Sequence, residues 1–389
     1  MAVKHSTRAH AVLSASASSR WLACPPSAKL NAEIPDTTTD YAREGTCAHE
    51  LAEYKVNKLL GIEAKDPTEN LDFYDSEMED CTENYAQYIA EEISKYSAPV
   101  VMVEQRLDFS RYVPGGFGTG DCIIVADDVL TVIDYKHGKG VAVSAERNSQ
   151  MMLYALGALK LFDSLYDIKE IRTVIFQPRI ENVSESVISV SELLCWAENE
   201  LKPKAELAAK GEGEFCAGEH CRFCKVKATC RKRAEYNLTL AQYDFSPAAT
   251  LEDREIEAIL EKADTLTAWA ADVKEYALSQ ALAGKQWTGY KVVEGRSNRK
   301  YTDEKAVAEA VKAIGENPYC KPEVLGITAM TKLLGGKKKF DELLSKYVCK
   351  PQGKPTLVPA SDKRKAWNPA QNEFKGEFLL WQNMLIPQR

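Results

Sequence analysis

The chain has 389 residues, 45% of them hydrophobic, and a formal net charge of −7 at pH 7, so it can bury a sizeable core and suggests two domains. No run approaches the roughly 18 consecutive apolar residues of a membrane span, and the start MAVKHSTRAHAVLSASASSR lacks the apolar core of a secretory signal, so the expectation is a cytoplasmic protein. The 11 cysteines are an odd number, which argues against a disulfide framework and leaves metal binding as their main chemical use.

In chain order, Arg20 to Leu30 contains a Cys-Pro-Pro turn, and a helix is expected from about Arg43 to Leu60, ended by Gly61. Asp66 to Glu83 is acidic and turn-rich. A second helix is expected from about Cys81 to Lys95, then a strand from Val100 to Phe109. Gly115 to Gly120 breaks the pattern. Strands follow at Asp121 to Ala126 and Leu130 to Tyr135, a helix at Ser149 to Phe162, strands at Arg172 to Gln177 and Ser186 to Val190, and a helix from about Ser191 to Ala209. The order is that of a mixed α/β (α+β) fold with the central hairpin as its nucleus.

A cysteine-rich stretch from Cys216 to Cys230 closes this part, and a long helical pattern from Leu251 to Ala283 opens another. The boundary is placed near Tyr243, giving domains 1–243 and 244–389. The second carries a strand at Tyr290 to Glu294, helices near Glu304 to Ile314 and Thr328 to Tyr347, and a basic tail, so it reads as mainly helical. No repeat at a fixed period is present.

The acidic total hides two basic stretches. Cys221 to Arg233 has six Lys or Arg and no acid, and Thr331 to Lys365 has ten basic residues against three acidic ones. Either could face phosphate, or be an ordinary solvated surface. Lys337, Lys338 and Lys339 follow Gly335-Gly336 without the spacing or hydroxyl of a nucleotide-binding loop, and rank as a candidate DNA contact.

The segment DCIIVADDVLTVIDYK carries the chemistry. A two-residue turn at Asp127-Asp128 sets the register and puts Asp121 across from Asp134, with Lys136 on the same face. Directly opposed residues have Cβ atoms about 4.5 to 5.5 Å apart. Both faces are apolar, Ile123, Val125, Leu130 and Val132 on one and Cys122, Ile124, Val129 and Ile133 on the other, so the pair should be central in a sheet. Two carboxylates ending a buried pair repel unless a cation lies between them, and Mg²⁺ or Mn²⁺ suits oxygen ligands. The alternative is that both acids sit in water at a frayed end, with Lys136 as a salt-bridge partner. Glu104, on the preceding strand, is either a further member of the acidic cluster or an exposed strand carboxylate.

Cys221, Cys224 and Cys230 form C-x2-C-x5-C, a spacing that lets thiolates converge on one centre. Three ligands leave a fourth to be found. Cys216 or His220 would complete a local zinc site. Cys47, Cys81, Cys122, Cys195, Cys320 and Cys349 have no partner at useful spacing and read as packing residues.

Taken together, these pieces resemble the PD-(D/E)XK nucleases, specifically the RecB-like branch that includes CRISPR-associated exonucleases and AddB-type subunits. Gly118 to Asp121 looks like its Gly-x-x-Asp motif, Asp134-Tyr135-Lys136 like Asp-x-Lys, and Gln150 with Tyr154 like Gln-x-x-x-Tyr. Glu44-Gly45-Thr46 leading to His49 resembles the helix that supplies a metal-binding histidine. Gly120 stands where the eponymous proline would be. The resemblance covers about Ser14 to Arg233.

It implies a restriction-endonuclease-like core with a mixed sheet flanked by helices. It implies a DNA nuclease, with exonuclease action expected, in which His49, Asp121, Asp134 and the Tyr135 carbonyl hold one or two Mg²⁺ or Mn²⁺ ions. Lys136 would activate water, and Gln150 and Tyr154 would hold the DNA or the lysine. In iron-sulfur members one cysteine precedes the core and three follow it, and Cys24 in Trp-Leu-Ala-Cys-Pro matches the first. The implied [4Fe-4S] ligands are then Cys24, Cys221, Cys224 and Cys230. Similarity to phage and prophage proteins of this group implies DNA replication or recombination in a bacterial host cell, alongside partners such as a single-strand-binding protein. The other reading is a non-catalytic DNA-binding or replication-scaffold protein with a structural zinc or iron-sulfur site.

Overall fold

A computed structural model describes residues 11–36, 39–238, 253–295, 299–320, 323–349, 355–359 and 365–366. The chain divides into two compact units, residues 1–266 and 267–389. The boundary expected near Tyr243 lies outside the described residues, and the division by compactness falls within one long helix, Asp253–Leu282.

The first unit is built on a five-stranded mixed sheet of order β1-β2-β3-β4-β5. The strands are β1 (Val100–Asp108), β2 (Phe117–Ala126), β3 (Val129–Tyr135), β4 (Glu170–Gln177) and β5 (Asn182–Ser189). β3 and β4 are parallel, the other neighbours antiparallel. The β2–β3 register is the one the turn predicts, Cys122 opposite Ile133 and Ala126 opposite Val129, with Asp127 at φ 53° turning the chain.

Helices cover both faces. α3 (Asp40–Leu59) and α4 (Ser76–Ser94) enclose Cys122, Ile124, Ile133 and Tyr135 on one side. On the other, α5 (Ser149–Phe162) packs on Ile123, Val125, Leu130 and Val132, joined by α1 (Ser18–Ala23), α6 (Val190–Trp196) and α7 (Lys202–Lys210). Nearly every α5 side chain from Met151 to Leu159 is buried, as expected of a helix enclosed on all sides. Among the described residues no helix is long and apolar enough to cross a membrane.

Two expectations need correction. β2 begins at Phe117, although Gly115 to Gly120 reads as a break. Gly118 and Gly120 belong to the strand because larger residues would collide: a Cβ at Gly118 would lie 2.7 Å from Tyr154, and one at Gly120 would lie 2.9 Å from Leu107. In the second unit, the helix expected from Thr328 to Tyr347 is two, α11 (Ile327–Leu333) and α12 (Lys337–Leu344), parted by Gly335 and Gly336 at φ 76° and 127°. These pack with α10 (Glu304–Lys312) around Val307, Met330 and Phe340.

Candidate active site and cysteine cavity

β2 outruns β3: its pairing with β3 covers Cys122 to Ala126, while its pairing with β1 continues to Phe117. The end of the sheet that carries Asp121 and Asp134 therefore opens where the two strands part. There the Tyr135 amide donates to Asp121 Oδ2 at 2.7 Å, not to a strand carbonyl. The Tyr135 carbonyl shares that strand edge with its amide.

Glu104 stands opposite Asp121 in the β1–β2 register, between the pairs Val103–Cys122 and Gln105–Gly120, and has φ 50°. A left-handed glutamate in a strand is costly and shifts the facial alternation. Val103 faces the α3–α4 core, whereas Leu107 faces α5. His49, Glu104 and Asp121 each offer a ligand atom within 4.8 Å of the others. Glu104 is thus a member of the acidic cluster.

A pocket of about 500 Å³ gathers His49, Glu104, Asp121, Asp134, Lys136, Gln150 and Tyr154. α3 contributes Ala42, Gly45, Thr46 and His49, whose spacing puts them on one helix face. Three of the four are small, which leaves room beside the imidazole. Asn148 caps α5 by accepting from the Gln150 and Met151 amides at 3.1 and 3.3 Å, fixing the first turn. From it Gln150 Nε2 donates to Asp134 Oδ1 at 3.1 Å and to the Tyr154 hydroxyl at 3.2 Å, while its Oε1 accepts from Lys136 Nζ at 3.3 Å.

The electrostatics are unbalanced. Asp134 is 2% exposed, and its Oδ2 meets Lys136 Nζ at 2.7 Å as an ion pair without an aligned hydrogen bond. Burial pushes the Asp134 carboxyl above its ordinary range against the pull of Lys136, and the Asp121 charge pushes it further. Burial also acts to raise Asp121, but His49 at 3.4 Å outweighs it and holds that carboxyl low. The same pair takes His49 up to about 9, although burial alone would lower it. Lys136 is raised because Asp134 outweighs its burial. A nitrogen donor and several carboxylate oxygens, one under-satisfied, fit a divalent ion.

A second network supports the site. The turn after β4 carries Arg179, whose Nη1 donates to Glu44 Oε1 at 2.7 Å and to the His137 carbonyl at 3.3 Å, and whose Nη2 meets Glu77 at 2.8 Å. His137, held neutral by burial and by Arg179 with its pKa lowered to about 4, bonds the Tyr135 hydroxyl at 2.9 Å. The ring of Tyr135 meets His49 edge-on at 5.5 Å. Sequence reading missed Arg179, Glu77 and His137; only His137, adjacent to Asp-Tyr-Lys, had a local signal.

The cysteines meet elsewhere in the first unit. Cys24, Cys221, Cys224 and Cys230 line one cavity, and so do Cys216 and His220, so the donor set implied by the resemblance and the local set inferred from spacing converge on one place. Cys24 follows α1 and packs against residues nearly 200 positions later. Asn31 bridges the same gap, donating to Cys224 Sγ at 3.3 Å and accepting from the Lys225 amide at 2.8 Å. Arg20 and Arg233, each 7% exposed, line the cavity. His220 is raised to about 10 chiefly by Cys221 and Cys24. Buried cations around thiols suit anionic sulfur.

A tetrahedral zinc site with Zn–S near 2.3 Å would bring its sulfurs to roughly 3.8 Å of one another. Among the described residues, no three of these donors lie mutually within 4.8 Å. Of the cysteines expected to pack, Cys81 and Cys122 are buried, Cys47 and Cys349 are half-buried, and the side chain of Cys320 lies outside the described residues. Cys195 is exposed and accepts from Asn199 Nδ2 at 3.2 Å, so it is not a packing residue. Lys337, Lys338 and Lys339 are exposed on the first turn of α12, in the second unit.

A solved structure titled "Crystal structure of SSO0001" is similar over 47% of this chain and 94% of that one, at 14% identity and a TM-score of 0.24. The family model described as "Protein of unknown function (DUF2800)" matches residues 10–365, and the chain belongs to that family.

Proposed function

We propose that the protein is a divalent-metal-dependent nuclease that hydrolyses DNA phosphodiester bonds in the pocket between α3, β2, β3 and α5. The observation that carries this reading is the parting of β2 and β3, which gathers His49, Glu104 and Asp121 as ligands beside the Asp134–Lys136 pair. His49, Glu104, Asp121, Asp134 and the Tyr135 carbonyl would hold Mg²⁺ or Mn²⁺. Such an ion, when bound, polarises the phosphoryl group and makes water a better nucleophile at neutral pH.

The remaining work falls to the chain. Gln150 bonds both Asp134 and Lys136, so the ammonium needs little reorganisation. Lys136 orients the attacking water and offers positive charge to the extra negative charge of the in-line transition state. Tyr154 braces Gln150. Thr119 and the bonded pair Ser14–Ser16 line the pocket, and Thr119 and one serine of the pair can donate to phosphate oxygens.

Cys24, Cys221, Cys224 and Cys230 would hold a [4Fe-4S] cluster that ties the N-terminal segment to the end of the first unit. The test is direct. Purified protein with Mn²⁺ should degrade end-labelled DNA and do nothing in chelator. Binding of DNA without cleavage in either metal would favour the scaffold reading.

A further inference from the structure

The pocket is short of charge for a polyanionic substrate. Its lining carries Glu104, Asp121 and Asp134, and its cations, Lys136 and His49, already face Asp134 and Asp121. Positive charge for the substrate must come from just outside. Where β2 overhangs β3, Phe117 and Thr119 form the pocket wall, and the guanidinium of Arg106 stacks over the Phe117 ring at 3.9 Å. Arg106 is exposed, and among the described residues its guanidinium has no ion pair or hydrogen bond. The nearby acid on the same strand, Asp108, is taken by Lys160 at 2.6 Å.

An arginine flattened on an aromatic ring keeps its edge donors and its outer face available, the combination that stacks a nucleobase and binds the adjoining phosphate. Phe117 is four residues from Asp121, roughly 13 Å along an extended strand, which places the pair beside the scissile position and not on it. Thr119 lines the same pocket.

We infer that Arg106 and Phe117 form a nucleobase-stacking subsite that receives one unpaired base of the substrate strand next to the nucleotide being cut. The inference rests on the nuclease reading for its substrate. Its test is binding, kept separate from cleavage.

The full chain carrying Lys136→Ala is titrated with fluorescent oligonucleotides that present single-stranded ends, intact or abasic at one of the first several positions. One abasic position should weaken binding about tenfold, the scale of a lost base–aromatic stack. In Arg106→Ala and in Phe117→Leu that position should cease to matter, while Arg106→Lys, which keeps charge and loses the planar stack, should recover only part of the affinity. Equal loss at all positions, or a positional effect that persists in both variants, overturns the subsite. So does absence of binding. Cleavage by the unsubstituted protein is measured in parallel: positional binding without cleavage keeps the subsite and rejects the nuclease, and cleavage without positional coupling does the reverse.

Discussion

Replacing Arg179 by Met should loosen the proposed metal site from behind. The aliphatic stem is retained and the guanidinium lost, so Glu44 and the His137 carbonyl each lose a charged donor at 2.7 and 3.3 Å. Arg179 is 12% exposed and Glu44 25%, so solvent compensates only in part. Glu77 keeps Lys139 at 2.8 Å and so loses little. One charge-assisted bond at about 2 kcal/mol and a weaker one at about 1 kcal/mol give a loss of roughly 3 kcal/mol. For a unit of this size that is about 6 °C in Tm. Because Glu44 lies on the helix that carries His49, Mn²⁺ affinity should fall as well. Differential scanning fluorimetry with and without Mn²⁺ reads both effects. The double variant with Glu44→Gln should be less than additive, since the two share one contact. A Tm within 1 °C of the parent, with unchanged Mn²⁺ affinity, would refute the clamp.

Three further outcomes are expected. Gly118→Ala puts a methyl 2.7 Å from the Tyr154 ring, so it should cost about 1 to 3 kcal/mol and lower the rate by disturbing Gln150, whereas Gly45→Ala, with open space around it, should fold normally. For His137, burial lowers the folded pKa to about 4, so the unfolded chain binds the proton more tightly. Its contribution should be fully present above about 6.5 and lost as pH falls towards 4; a denaturation series should flatten there in His137→Gln, and an unchanged slope would reject the assignment. Iron with acid-labile sulfide is expected in the purified protein and lost in Cys24→Ser; one zinc per colourless chain, unaffected by that substitution, would assign the cavity to the Cys216 or His220 set.

The hairpin could be read from sequence because its turn is two residues long and the strand period is two, so Asp127-Asp128 alone sets which side chains share a face. Gln150 and Tyr154 share a helix face by their i, i+4 spacing, but their place beside Asp134 and Lys136 was an expectation from the resemblance alone. The central place of the hairpin in the sheet followed from the apolar character of both its faces, whereas the strand order did not. Three features were not legible. Glu104 joins the centre through a left-handed φ that no local pattern announces. β2 starts at Phe117 because Leu107 and Tyr154, distant in sequence, fill the space beside its glycines. Arg179 reaches Glu44 and Glu77 across 135 and 102 residues, and such ion pairs leave no periodicity.

The central claim is that Asp121 and Lys136 cut DNA with a divalent ion, and paired measurements of metal binding and cleavage test it most directly. Asp121→Asn and Lys136→Ala are compared with the parent after circular dichroism has established that all three fold alike. The account expects Mn²⁺-dependent cleavage of end-labelled DNA by the parent, loss of both Mn²⁺ binding and cleavage in Asp121→Asn, and loss of cleavage with Mn²⁺ binding retained in Lys136→Ala. Undiminished cleavage in both variants would contradict it.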